Sequence, residues 1–131
     1  YTSLGLLLLG EQMATLLYKA NASHILPTTA GTTNATSVTT GATELFTISI
    51  YNANAALRYL KIYNKASAPT VGTDVPVIVI PLKNADFTTL SWAKGFYLST
   101  GLAYALTTGA ATSDTGVVGT DITGLTLTYS T

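Results

Sequence analysis

Between residues 44 and 51 the chain alternates large apolar with small hydroxylated side chains: Phe46, Ile48 and Ile50 against Thr47 and Ser49. A period of two is what a strand with one buried face requires. Residues 57–63 follow a looser version of the same rule, with Leu60 and Ile62 on one face and Tyr59, Lys61 and Tyr63 on the other. Asn52, Ala53, Asn54 and Ala55 between them predict a hairpin turn. Residues 64–73 read as a loop punctuated by Pro69 and Gly72. Residues 75–82 are apolar at both parities, which predicts a strand covered on both sides, with Pro76 and Pro81 confined to strand ends or an edge. Residues 87–92 and 96–98 read as two short strands around a turn at Lys94 and Gly95, and Gly101 marks a bulge or tight bend. Leu102, Tyr104 and Leu106 then share one face, with Ala103 and Ala105 packing closely on the other. After a loop over 108–120, Leu125, Leu127 and Tyr129 alternate with Thr126 and Thr128. Short strands at this spacing predict an all-β sandwich or barrel. Helical spacing occurs at Met13, Leu16 and Leu17, within 12–19, where a strand is the competing reading.

Composition narrows the function. The 131 residues carry six basic and six acidic side chains, one histidine and no cysteine. Only 9 % are charged and 47 % are hydrophobic, against about 25 % charged in an ordinary soluble domain. With zero net charge, and with Arg58, Lys61 and Lys65 as the densest basic group, the chain lacks the footprint of a nucleic-acid binder. Without cysteine it has no disulfide framework, thiolate nucleophile or cysteine-ligated zinc. The almost wholly apolar stretch from Leu4 to Leu9 is interrupted at Glu11 and Gln12, far short of the roughly 20 residues of a membrane span. No positive charge precedes it, as a signal peptide requires. Residues 28–43 are mostly Thr, Ala, Gly, Asn and Ser, with Val38 the only large apolar residue. They predict a long loop or arm that needs a neighbouring surface to be ordered. The organisation expected is one domain, with 1–43 as an extended N-terminal arm and first strands and 44–131 as the core of the sandwich.

Candidate chemistry is sparse. Asp114, Thr115 and Gly116 spell the tripeptide of aspartic proteases, in which two carboxylates share a proton and activate water. Here Thr112 and Ser113 precede it in a polar loop, where apolar strand residues would be expected, so a turn aspartate that caps local amides is the better reading. A dimeric hydrolase using Asp114 is the remote alternative. His24 has Ser23 beside it and no second candidate ligand nearby, which favours a structural role over a triad or metal site. Trp92, Phe96, Tyr97 and Tyr104 could form a platform for sugar rings, against a default of core packing in which Phe96 points inward and Tyr97 outward. Catalytic, cofactor-binding and metal-binding residues are therefore none, and no enzyme activity is expected. A chain that cannot furnish the usual density of surface charge suits contact with its own copies or a larger lattice.

Residues 56–77 (ALRYLKIYNKASAPTVGTDVPV), 95–107 (GFYLSTGLAYALT) and 110–114 (AATSD) resemble segments of small β-rich virion proteins of tailed bacteriophages. The resemblance covers rather more than half of the chain, and the spacing between the blocks fits as well. It implies a jelly-roll-like β-sandwich and a multimeric structural component of the virion, assembled in the bacterial host cytoplasm, and it carries over no catalytic residue. The leading expectation is a capsid decoration or cement protein. Such a protein would be a homo-oligomer, a trimer by preference, bound to the major capsid protein or other virion proteins, with no nucleic acid or membrane partner. A head-fibre, neck or tail component that binds a receptor or glycan is the alternative. The interface is expected in the amino segment, at Leu6, Leu7, Leu8, Leu9, Met13, Leu16, Leu17 and Tyr18.

Overall fold

The computed structural model describes residues 19–131. Eight strands make up its regular structure: β1 (Ala22–Thr28), β2 (Thr36–Ser37), β3 (Thr43–Asn52), β4 (Arg58–Asn64), β5 (Ile78–Leu82), β6 (Asp86–Leu98), β7 (Leu102–Thr107) and β8 (Ile122–Ser130). They form two four-stranded antiparallel sheets in the orders β1-β8-β3-β6 and β2-β7-β4-β5. The pairs β4–β5, β3–β6, β2–β7 and β1–β8 are all hydrogen-bonded, so the chain runs as one long antiparallel ribbon wound over both sheets. That winding is a jelly roll, an all-β sandwich whose two inner faces share one core.

The core is built from the alternation read in the sequence. Ile48 and Ile50 of β3 and Leu125 and Leu127 of β8 meet Leu60 and Ile62 of β4 and Leu102, Tyr104 and Leu106 of β7, all of them buried. β4 and β7 of the second sheet are also covered on their outer side, where Tyr63 packs on Ala103 and Ala105, with Val71 of the following loop against them. Lys61 on that same side is fully buried. Its Nζ donates to the carbonyl of Ala111 at 2.7 Å, which ties the 108–120 loop down over the sheet. Burial lowers the pKa of this ammonium, and the charge of Asp114 acts in the opposite direction.

The structure corrects several local expectations. The asparagine-rich turn after β3 is not a hairpin: β3 and β4 lie in different sheets, and Asn52 Nδ2 spans the crossover by donating to the carbonyls of Ala56 and Leu82. The run over 75–82 is covered on one side only, because β5 is an edge strand. Ile80 and Leu82 face the core, while Val75, Val77 and Val79 face outward, Val75 with 73 % of its surface exposed. Pro81 is tolerated on that edge, where a missing N–H breaks no ladder. The two short strands expected around Lys94 are one strand, β6. Leu45 sits opposite Phe96 and Thr47 opposite Ser91, so residues 92–95 bulge against the single residue Phe46. Gly95 takes φ +80° there, beside Glu44 Cβ, and the bulge turns Trp92 and Phe96 onto the open flank of the core.

Residues 28–43 lie on the sandwich itself. Backbone bonds join Thr29 N to Ile122 O, Val38 N to Leu102 O and, from the other side, Leu106 N to Thr33 O. The buried hydroxyls of Thr29 and Thr39 bond to Gly119 O and Thr43 Oγ1. Satisfied threonines hold a segment that has too few apolar residues to hold itself. The helical reading of 12–19 lies outside the described residues except for Lys19.

Candidate assembly surface

All eight interface residues expected from the sequence, Leu6, Leu7, Leu8, Leu9, Met13, Leu16, Leu17 and Tyr18, lie outside the described residues. The other candidates do not converge. Asp114 Oδ1 accepts the amide of Gly116 at 2.8 Å, the local capping anticipated for a turn aspartate. Among the described residues no three His, Cys, Asp or Glu side chains group to hold a metal ion, and no helix is long and apolar enough to cross a membrane.

His24 points from β1 into the seam between the sheets. Its Nε2 lies 3.0 Å from the hydroxyl of Tyr104 on β7, with ring centroids 5.4 Å apart. Burial lowers the pKa of the imidazole, which favours the neutral ring. The sign of the linkage follows. Above about pH 6.5 the ring is neutral in folded and unfolded chains alike. As pH falls below that value the unfolded chain binds the proton first, so stability declines until the lower pKa of the folded chain is passed. Melting temperatures at pH 7.5 and pH 5.5 should therefore fall further in the parent protein than in His24→Gln. Equal falls would show that His24 contributes nothing to the acid sensitivity.

The four aromatic residues do not make a sugar platform. Tyr104 is wholly inside the core and Tyr97 is 63 % exposed. Trp92 and Phe96 are tilted at 58° to each other, 6.0 Å between centroids, and pack half-buried against the core. Tyr97 lines a shallow depression with Ala42, Thr43, Glu44, Ser130 and Thr131.

What the fold does assemble, on the outer face of the first sheet, is two adjacent rows without charge, flanked by Glu44 beside Tyr97 and Ser130. Strand register aligns Ser23, Thr128, Thr47 and Ser91 in one row across all four strands, and Ile25, Thr126, Ser49 and Thr89 in the next. The hydroxyls of Thr47 and Thr128 bond to each other within the first row. Tyr51 and Phe87 form a further cross-strand pair, with Phe87 60 % exposed and Ile25 58 % exposed. Covering such rows strips water from small neutral hydroxyls, which costs far less than desolvating ions. The polar half of each alternation was visible in the sequence. Its assembly into rows was not, because the rows depend on long-range pairing.

No family model and no curated protein sequence matches the chain. Among solved structures it is similar to the coat protein of Tobacco streak virus, in a C2 crystal form at 2.1 Å and as a dimer at 2.4 Å. In each case the sequences are 14 % identical, 87 % of this chain and 88 % of that chain are covered, and the TM-score is 0.36.

Proposed function

We infer that the protein is a non-enzymatic structural component of a virion, a decoration or cement protein that binds the outside of a phage head as a homo-oligomer, a trimer by preference, and bridges capsid subunits. The observation that carries this reading is the outer face of the first sheet, where two rows spanning four strands contain no charged side chain. The jelly roll supplies a rigid plate, and a plate of this chemistry can be covered by another protein at small desolvation cost. Its action would be mechanical. Each copy buries surface across a joint, and several linked copies turn modest contacts into firm attachment.

The test adds the purified protein to phage heads that lack it, measuring bound copies and the temperature at which heads release DNA. Saturable binding and a raised release temperature are expected. The double variant Ser49→Lys, Thr126→Lys, which places two charges on the face and leaves the core untouched, should bind at least about tenfold more weakly, equivalent to ~1.4 kcal/mol. Absence of binding by the folded parent protein, or undiminished binding by the double variant, would overturn the reading.

A further inference from the structure

We propose that β6 is a self-pairing edge, at which two copies of the chain join antiparallel about a two-fold axis centred on Leu90. The sandwich has four edges, β1 and β6 in one sheet and β2 and β5 in the other. Three of them are blunted along the strand itself, whereas the bulge of β6 begins only after Ser91 and leaves 86–91 regular. β1 carries Pro27, β5 carries Pro81, and β2 is only two residues long. β6 has thirteen residues and no proline. Between Asp86 and Lys94 it has no charge, and it exposes Phe87 and Leu90. No described strand pairs with its outer side.

The register follows from geometry and charge. An axis perpendicular to the sheet keeps the inner faces of both copies on the same side, so residues that meet must share parity. Leu90, opposite Ile48 of β3, belongs to the core-facing set, and centring the axis on it joins the two cores at their open flanks. The same axis places Thr89 opposite Ser91 of the second copy and, at both ends of the run, brings Asp86 to the bulge at 92–95 that carries Lys94 of the second copy. Asp86 is exposed, and its Oδ1 takes only the adjacent Phe87 amide. Lys94 already has a partner in its own chain, and an ammonium with three donors can serve a second acceptor. Axes centred on Thr88 or Thr89 would leave both charges without an opposite.

The proposal stands apart from the virion reading, because it concerns the purified chain alone. With no native cysteine, disulfide trapping reports the register directly. Leu90→Cys should form a disulfide-linked dimer on mild oxidation, since directly opposed residues lie within disulfide reach, about 4.5–5.5 Å between Cα atoms. Phe87→Cys should not, because its two copies would stand about 20 Å apart along the strands. Asp86→Lys should weaken the dimer roughly two- to fivefold in sedimentation, and Asp86→Lys with Lys94→Asp should restore it. Circular dichroism establishes that each variant is folded. A folded Leu90→Cys chain that stays monomeric under oxidation overturns the proposal, as does equal trapping of Phe87→Cys. An intrachain disulfide in the Leu7→Cys, Leu90→Cys double variant would assign the edge to the amino-terminal segment and also overturn it.

Discussion

Gly101→Val should lower stability by about 3 kcal/mol or more, as overpacking against an immovable backbone does. A Cβ at Gly101 would lie 2.7 Å from the carbonyl oxygens of both Lys65 and Thr39 and 3.0 Å from the Cα of Ala66. None of these atoms belongs to a side chain that could swing away. The junction is also bonded from every direction. Gly101 O accepts Lys65 N at 3.0 Å, Leu102 O accepts Val38 N at 2.8 Å, Thr39 Oγ1 accepts Leu102 N at 2.8 Å, and Asn64 Oδ1 accepts Thr100 N at 2.8 Å. Moving any one strand end to admit two methyl groups breaks bonds in the other two. Gly41→Ala is the control, because nothing lies within 4 Å of its added Cβ, and it should be nearly neutral. Urea unfolding distinguishes the outcomes: the midpoint should drop sharply for Gly101→Val with an unchanged slope. A midpoint close to that of Gly41→Ala would mean that the three-way junction yields.

The sequence made Gly101 conspicuous as an interruption between two apolar runs, but not what presses on it, since Thr39 and Lys65 are distant in the chain. The same division runs through the molecule. β3, β7 and β8 were legible because large apolar side chains recur there at every second position: Ile48 and Ile50, Leu102 and Leu106, Leu125 and Leu127 are all in the core. β6 was misread because its bulge at 92–95 resembles a turn, and β5 because the decisive fact was position in the sheet. Val75, Val77 and Val79 look like the second buried face of a central strand, and only the strand order shows that nothing described covers them. Lys61 stands on the outer parity of β4, yet the 108–120 loop closes over it and supplies the Ala111 carbonyl. Loop coverage leaves no periodic trace in the sequence. Segment 28–43 reads as a loop or arm because threonine is polar by composition; in place, Thr29, Thr39 and Thr43 are buried and their hydroxyls are hydrogen-bonded. The uncharged rows of the outer face were foreshadowed by the charge count and located only by register.

Tyr104→Ala should cost about 3–5 kcal/mol, the range for truncating a buried aromatic residue. Tyr104 is fully buried on β7 among Leu60, Ile62 and Leu106, and it is also the partner of His24 on β1. It therefore supplies both packing volume and a hydrogen bond that ties one sheet to the other. The two contributions separate in Tyr104→Phe, which keeps the ring and removes the hydroxyl. That variant should lose only about 1 kcal/mol, the net worth of one hydrogen bond, because the half-buried imidazole of His24 can turn its nitrogen to water. If packing dominates, Tyr104→Ala should be at least about twice as damaging as Tyr104→Phe, measured by chemical unfolding at pH 7.5, where His24 is neutral. Equal losses would place the stabilisation in the imidazole–hydroxyl bond, and the seam between β1 and β7 would then depend on protonation far more than the area buried there implies. The packing outcome is the one the fold favours. The ring fills the space between sheets about 10 Å apart, and no rearrangement of smaller neighbours can fill it without pulling β4 and β7 out of register.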